Sequence, residues 1–420
     1  MINARSAGGR EGLRTSPPPL CRRARRSSET GSPTEAPGAP ARDHDCLNLV
    51  HFLTHNFHNR FLDYEYNKRL HHRRHPMTPP RPHLHSPLHR IQGLLFGAAF
   101  GDALGAPVEF TRDPAAIRAA YPPNGPTTIH QGKVTDDTQM MIAVARALIA
   151  TPQSSAEALS GELRHTFTQW LDDPENNRAP GMTCLRACQA LKEGVPWPHA
   201  TIPGSKGCGA NMRVQPIATV PAATTRAGAA QLQAAMTHGH ATALAASDLT
   251  AHTLHLLLDG ALPAELPTHL RQYVQTQRTT YHHAWLGDLW THTPEPSPED
   301  FIARGWDECS HALERALQAT TGLPLHADPC HYSGEGWIAE EAFATGLLCF
   351  LLFPHDPVRA LQLAATTSGD SDSIACITGS LLGAHLGIHC FPADWTDQIE
   401  YSQELHTLAR ALTTLSSQGA

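Results

Sequence analysis

Two short acidic clusters carry the strongest chemical signal in this chain. The first is Val134-Thr135-Asp136-Asp137-Thr138-Gln139-Met140, and the second is Thr366-Thr367-Ser368-Gly369-Asp370-Ser371-Asp372-Ser373. Each sets carboxylates and hydroxyls immediately ahead of an apolar helical segment. Helix capping accounts for part of this pattern. Thr, Ser and Asp side chains satisfy the free N–H groups of a first turn, and acidic residues suit its positive end. Capping does not require two carboxylates with flanking hydroxyls, twice over. Hard divalent cations such as Mg²⁺ and Mn²⁺ take carboxylate, hydroxyl and water oxygens as ligands. Neither cluster holds a cysteine thiolate or an imidazole nitrogen, which argues against zinc. Capping and metal binding both stand as readings of these residues alone.

A third segment is glycine-rich: Gly204-Ser205-Lys206-Gly207-Cys208-Gly209-Ala210-Asn211-Met212-Arg213. Glycines let a backbone come close to a ligand, and successive N–H groups can cradle a phosphate. The segment lacks the Gly-Lys-Ser/Thr ending of a nucleotide-binding P-loop and follows no strand. By itself it reads as an ordinary loop. His71, His72 and His75 mimic metal-ligand spacing. They sit in an Arg-rich, low-complexity tract and carry little weight.

The elements that must position these groups are helical. From residue 88 onward apolar residues recur at helical spacing, and β-branched alternation is scarce. Residues 89–104 and 138–150 open the pattern. Further helices are expected near 155–171, 183–193, 227–236, 240–259, 263–277, 308–319, 338–353, 356–366, 373–387 and 394–415. Pro- and Gly-rich loops are expected at 121–126, 194–209 and 321–336. The expected fold is a single all-α domain over residues 87–418. Two of its helices share a four-residue glycine repeat, Gly93/Gly97/Gly101/Gly105 and Gly379/Gly383/Gly387. Glycine inside a helix costs roughly 1 kcal/mol against alanine. Aligned in one ridge, the glycines permit close approach of another backbone. Asp102 and Glu109 interrupt the first ridge, so it reads as a tightly packed central helix and not as a membrane pairing motif.

Residues 1–86 are different in kind. Pro17-Pro18-Pro19, the Arg22–Arg26 cluster and many histidines leave too little apolar surface to offset chain entropy. This stretch is expected to be disordered, with at most a short helix in 46–66. Met77 is an alternative start. Residues 1–81 hold 14 Lys+Arg against 7 Asp+Glu, whereas the remainder holds 18 against 32. An acidic body argues against a broad nucleic-acid surface and suits a site that gathers cations. Ten cysteines without CxxC or regular spacing read as free thiols of a reducing, cytoplasmic compartment. Neither a secretory signal nor a membrane-spanning helix is expected. The Arg- and Ser-rich opening faintly resembles a transit peptide.

In chain order, Gly93–Phe110, Val134–Met140, Gly204–Pro216, Thr237-His238 and Ser368–Gly383 resemble the motifs of the ADP-ribosylglycohydrolases, the group that includes dinitrogenase reductase-activating glycohydrolase. The resemblance implies an all-α domain with a binuclear Mg²⁺ or Mn²⁺ centre held by Thr135, Asp136, Asp137, Asp370, Asp372 and Ser373. It implies hydrolysis of the bond between ADP-ribose and an acceptor, a protein side chain such as arginine or a small molecule. Asp136, Asp137 and Asp372 are the implied catalytic carboxylates. Glu109 matches a residue near metals and substrate, Gly204, Ser205, Gly207, Cys208 and Gly209 a loop contacting the phosphates, and His238 a residue of the ribose pocket. Departures from the family pattern are Ser368 for glycine, Ser373 for threonine, Cys208 for asparagine, and Lys206 where some relatives carry an aromatic residue. These leave the metal site intact and leave substrate choice open. Two other readings compete. A catalytically silent relative would bind ADP-ribose or a partner only, but all four motif aspartates are present. A Mg²⁺-dependent phosphotransferase would use Asp370-x-Asp372 at the end of a strand, but residues 358–365 read as helix.

Overall fold

The first helix starts at a sequence signal for starting one. Ser86 caps it, accepting from the His89 N–H, and Pro87 occupies its first position, where a missing N–H costs nothing. A computed structural model of the chain describes residues 86–152, 155–324 and 327–418, all within a unit spanning 78–420. The expected disorder of 1–86, the short helix in 46–66 and the histidines at 71, 72 and 75 fall outside the described residues, Ser86 excepted.

The longer helices are α1 Pro87–Gly105, α2 Pro114–Ala120, α3 Asp136–Ala150, α4 Ala156–Asp172, α5 Met182–Lys192, α6 Ala223–Ala235 and α7 Ala241–Leu258. They continue as α8 Leu266–Gln277, α9 Pro298–Ala319, α10 Ala339–Leu352, α11 Pro357–Ala364, α12 Ser371–Leu386 and α13 Ser402–Gln418. Isolated bridges, Ile202 to His238 and Gly207 to Ile338, are the β-structure found among the described residues. The fold is all-α, as the spacing predicts.

At its centre α1 lies against α12, with both helices buried around nearly their whole circumference. The two glycine ridges meet here. A Cβ added to Gly97 would stand 2.1 Å from the Gly379 carbonyl oxygen; one added to Gly383 would stand 1.8 Å from that of Gly93. At the end of the seam, a Cβ on Gly105 would meet the Asp372 Cα at 2.4 Å. The α1 helix has the length and hydropathy of a membrane span over Pro87–Val108, and 89% of that window is buried inside the fold. Its aromatic side is covered by later elements. Phe96 packs on His406 of α13 with ring centres 4.6 Å apart, and Phe100 on Phe391 and Trp395 at 5.2 and 5.4 Å.

Three elements differ from the periodicity. The α9 helix begins at Pro298, ten residues earlier than expected, because Ser297 caps it and Pro298, Glu299 and Asp300 form a favourable first turn. The short α2 has the same logic, with Asp113 as cap and Pro114 in first position. The expected helix over 394–415 is split into Trp395–Gln398 and α13. Ile399 is extended and Tyr401 has φ +58°.

Candidate functional site

The two acidic clusters meet at the end of the glycine seam. Thr135 caps α3, its hydroxyl accepting from the Asp137 N–H at 3.3 Å, and Asp136 and Asp137 form the first turn. Capping is therefore real in the first cluster. Asp370 stands at the N-terminus of α12 without a side-chain cap bond, so its carboxylate is left for other work. The chain is delivered there by contact with Glu335. The Asp370 N–H bonds to the Glu335 carbonyl at 2.8 Å, and a Cβ on Gly369 would lie 1.9 Å from that same oxygen. Glu109 follows directly on the turn that ends α1. One carboxylate oxygen each from Glu109, Asp370 and Asp372 lies within 4.8 Å of the others. The Thr135 hydroxyl stands near enough to the Asp372 carboxyl to favour its charged form, which links the two clusters.

Asp102, unassigned by sequence, organises this arrangement. It is fully buried one turn before the end of α1. Both its oxygens accept from the Thr135 N–H at 3.0 Å, and Oδ2 also accepts from the Thr138 N–H at 3.1 Å and hydroxyl at 2.5 Å. A carboxylate on another helix thus satisfies N–H groups that open α3. The available signal was a single carboxylate inside an otherwise apolar glycine helix, a costly placement unless it has partners.

The site is crowded with acid. Burial first, and the Asp372 carboxylate second, push Asp102 up to about 7, Asp136 to about 8 and Glu109 to about 9. The same two causes raise Asp137 and Asp370 well above the ordinary carboxylate range, and burial raises Asp372. Asp137 Oδ2 and Asp372 Oδ1 are buried without a hydrogen-bond partner. Asp136 Oδ2, in contrast, accepts weakly from the Gly181 N–H at 3.4 Å. Buried polar atoms are normally paired, and close-set buried carboxylates need protons or a cation. The donor set fits a hard divalent ion.

The glycine segment borders this cluster. The Cys208 N–H bonds to the Trp337 carbonyl at 3.1 Å and the Ala339 N–H to the Lys206 carbonyl at 2.9 Å, while the Ser205 N–H bonds to the Ile202 carbonyl at 3.0 Å. The Ser205 and Cys208 N–H groups are therefore engaged within the chain. Gly204 is exposed and unobstructed. His238 lies buried beneath the loop. A Cβ on Gly207 would sit 3.2 Å from its Nε2, and one on Gly209 3.1 Å from its Cε1. Burial, then nearby Arg213, hold its pKa well below the usual histidine range, so the ring is neutral. Its Nδ1 pairs with the Thr237 hydroxyl at 2.8 Å. Cys208 turns its thiol onto Asp370 Oδ2 at 2.9 Å, and the Ser373 hydroxyl donates to that sulfur at 3.6 Å. Lys206 pairs with Glu308 and Glu340 on α9 and α10.

A cleft of about 390 Å³ opens beside Glu109 and Thr135, with Phe110, His130, Lys133 and Arg178 among its walls. Phe110 is 68% exposed and stacks on Trp337 with ring centres 6.3 Å apart. A larger cleft of about 730 Å³ near Arg118 and Arg359 contains none of the motif carboxylates.

Known proteins resemble this chain over most of its described residues. A model of the ADP-ribosylglycohydrolase family matches residues 84–420. ADP-ribosylarginine hydrolase Tri1 of Pseudomonas putida is 26% identical over 334 residues, covering 77% of this chain and 78% of that protein. ADP-ribosylhydrolase ARH3 of Homo sapiens is 25% identical over 358 residues, covering 77% and 93%. A solved chain described as an ADP-ribosylglycohydrolase-related protein complex shares the fold, with a TM-score of 0.55 at 22% identity, over 79% of this chain and 99% of that one. The chain belongs to the ADP-ribosylglycohydrolase family and is a glycosidic-bond hydrolase.

Proposed function

We propose that this hydrolase is metal-dependent and releases ADP-ribose from a protein side chain such as arginine, reversing ADP-ribosylation. The observation that carries the metal dependence is the pair of buried, unpartnered oxygens, Asp137 Oδ2 and Asp372 Oδ1, among like-charged neighbours. Thr135, Asp136, Asp137, Asp370, Asp372 and Ser373 would hold two divalent ions, Mg²⁺ or Mn²⁺, with Glu109 beside them. Bound there, the ions would supply Lewis-acid stabilisation of charge in the transition state. The protein's own part is positioning. Asp102 fixes the first turn of α3, and the α1–α12 seam fixes Asp372 against it. Substrate would lie between the 204–209 loop and Glu109, so that the anomeric carbon faces the carboxylates. Asp137 is the better placed of the adjacent pair to take a proton from water, since Asp136 already accepts from Gly181. The arginine acceptor follows the name of the Tri1 relative.

Release of ADP-ribose from ADP-ribosyl-arginine, measured with and without Mn²⁺, tests this reading. Activity is expected only with metal, and Asp372→Asn is expected to abolish it while the helical circular dichroism persists. Full activity in Asp372→Asn, or in metal-stripped protein, overturns the metal assignment. No release from any defined ADP-ribosyl linkage would leave a silent binding relative as the correct reading.

A further inference from the structure

A chain of buried hydrogen bonds ends at His238 and leaves its ring one arrangement of protons. It begins at Arg213, which is fully buried and pairs with no carboxylate among the described residues. The guanidinium donates to neutral groups instead. Its Nε reaches the Gln233 side-chain oxygen at 2.9 Å, and Nη2 reaches the Gln233 carbonyl at 2.8 Å and the Thr237 hydroxyl at 2.7 Å. The Gln233 amide is itself oriented, because its nitrogen donates to the Ala210 carbonyl at 2.8 Å, just beyond the glycine loop. A guanidinium has no acceptor, so the Thr237 oxygen must accept from it. The single Thr237 hydroxyl proton then has two neighbours, the Ala234 carbonyl at 3.5 Å and His238 Nδ1 at 2.8 Å. The Ala234 carbonyl already accepts from the Thr237 and His238 N–H groups at 3.1 and 2.8 Å, which occupies both its lone pairs. The proton therefore goes to Nδ1.

The opposite arrangement is poorer. With a proton on Nδ1, two donors would converge on the Thr237 oxygen, and its buried hydroxyl proton would face a filled carbonyl. A neutral imidazole that accepts at Nδ1 carries its proton on Nε2. Nε2 has no hydrogen-bond partner among the described residues. It faces the loop at two glycines: a Cβ on Gly207 would stand 3.2 Å from it, and one on Gly209 3.4 Å. Side chains at 207 and 209 would cover this edge of the ring. We infer that Arg213 and Thr237 are positioning residues that lock His238 as the Nε2–H tautomer, a fixed hydrogen-bond donor to an oxygen of ADP-ribose held under the 204–209 loop. The donor is set before the ligand arrives, so binding requires no rearrangement of the ring. Its use rests on the loop holding ADP-ribose; the tautomer does not.

Neutron diffraction from deuterium-exchanged crystals of the full chain reads the tautomer directly and needs no variant. Deuterium is expected on His238 Nε2, with the Thr237 deuteron directed at Nδ1. Deuterium on Nδ1 overturns the inference. Calorimetric titration with ADP-ribose in the presence of Mn²⁺ reads the consequence. Thr237→Val removes the hydroxyl that keeps the proton off Nδ1, and is expected to weaken binding roughly ten-fold. Thr237→Ser restores the hydroxyl and is expected to bind as wild type does. A merely structural threonine would give both variants the same affinity, and that result refutes the donor role. Titration with ADP locates the acceptor: a loss shared by ADP and ADP-ribose assigns it to the diphosphate, and a loss confined to ADP-ribose to the terminal ribose. Mn²⁺ binding followed by electron paramagnetic resonance shows that the acidic centre survives in each variant. Deuterium on Nε2 in a wild-type chain that binds no ADP-ribose refutes the ADP-ribose reading of the pocket and the use given to the donor, and leaves the tautomer standing.

Discussion

Gly101→Ala and Gly161→Ala are the same substitution in two helices, and the structure gives them opposite signs. Both changes remove a helix-interior glycine, which alone should stabilise by about 1 kcal/mol. Gly161 lies on the exposed face of α4 with nothing within 4 Å of an added Cβ. Its substitution is expected to raise stability by roughly 0.5–1 kcal/mol. At Gly101 the added Cβ would stand 1.9 Å from the Ala375 carbonyl oxygen, 2.3 Å from its carbon and 2.7 Å from the Cys376 nitrogen. All three atoms are backbone, so no side chain can rotate away. Ordinary contact requires α1 and α12 to part by roughly 1.5 Å. That movement opens the seam between Gly97 and Gly105 and costs about 3 kcal/mol or more as overpacking. The net expectation is a loss of about 2 kcal/mol after the propensity gain. The displacement also draws Asp102 away from Asp372, so Mn²⁺ affinity should fall with stability. Urea melts and Mn²⁺ titrations on both variants are the assay. A Gly101→Ala protein that matches Gly161→Ala in both measurements would refute the close-packed seam as the element that sets the site.

Two further outcomes follow from the same geometry. Asp102→Ala leaves the buried Thr135 and Thr138 donors without an acceptor, at about 1–3 kcal/mol each; urea melts should show at least that loss, together with weakened Mn²⁺ binding. In metal-free protein the folded state holds protons on Asp102, Asp136 and Glu109 up to about 7, 8 and 9, whereas unfolded carboxyls release theirs near pH 4. The folded state therefore binds more protons across this window, and its stability falls as pH rises through it. Added Mn²⁺ replaces those protons and should flatten the decline. Melting temperatures across that range, with and without Mn²⁺, check this, and a metal-free protein that gains stability toward alkaline pH contradicts it.

The fold was legible in the sequence wherever apolar period and glycine spacing repeat over many residues. The ridges in α1 and α12 state in advance that two backbones touch, because nothing else repays so many helical glycines. Less legible were features that depend on partners far along the chain. The start of α9 hides in a proline-rich run, where Ser297-Pro298-Glu299-Asp300 resembles a loop until its cap is recognised. Tyr401 breaks the last helix through a left-handed backbone that no residue type there requires. Within the site, the carboxylate pairs could be found because their types repeat at two helix starts. Asp102 acts through backbone groups thirty-three and more residues away, and so looks like an interruption. The Cys208 N–H is held by the Trp337 carbonyl, a partner far along the chain that no local spacing encodes.

The α1–α12 seam also orders events during synthesis. The helix that needs the closest partner is made first among the described elements, and that partner begins only at Ser371. Until then a nascent chain carries an apolar, notched helix with its groove empty. Contacts between distant segments form late and slowly. The carboxylates of α3 stay apart from Asp372 over the same period. A ribosome-bound chain would therefore be both in need of shielding and unable to hydrolyse anything until the helix that begins at Ser371 has emerged.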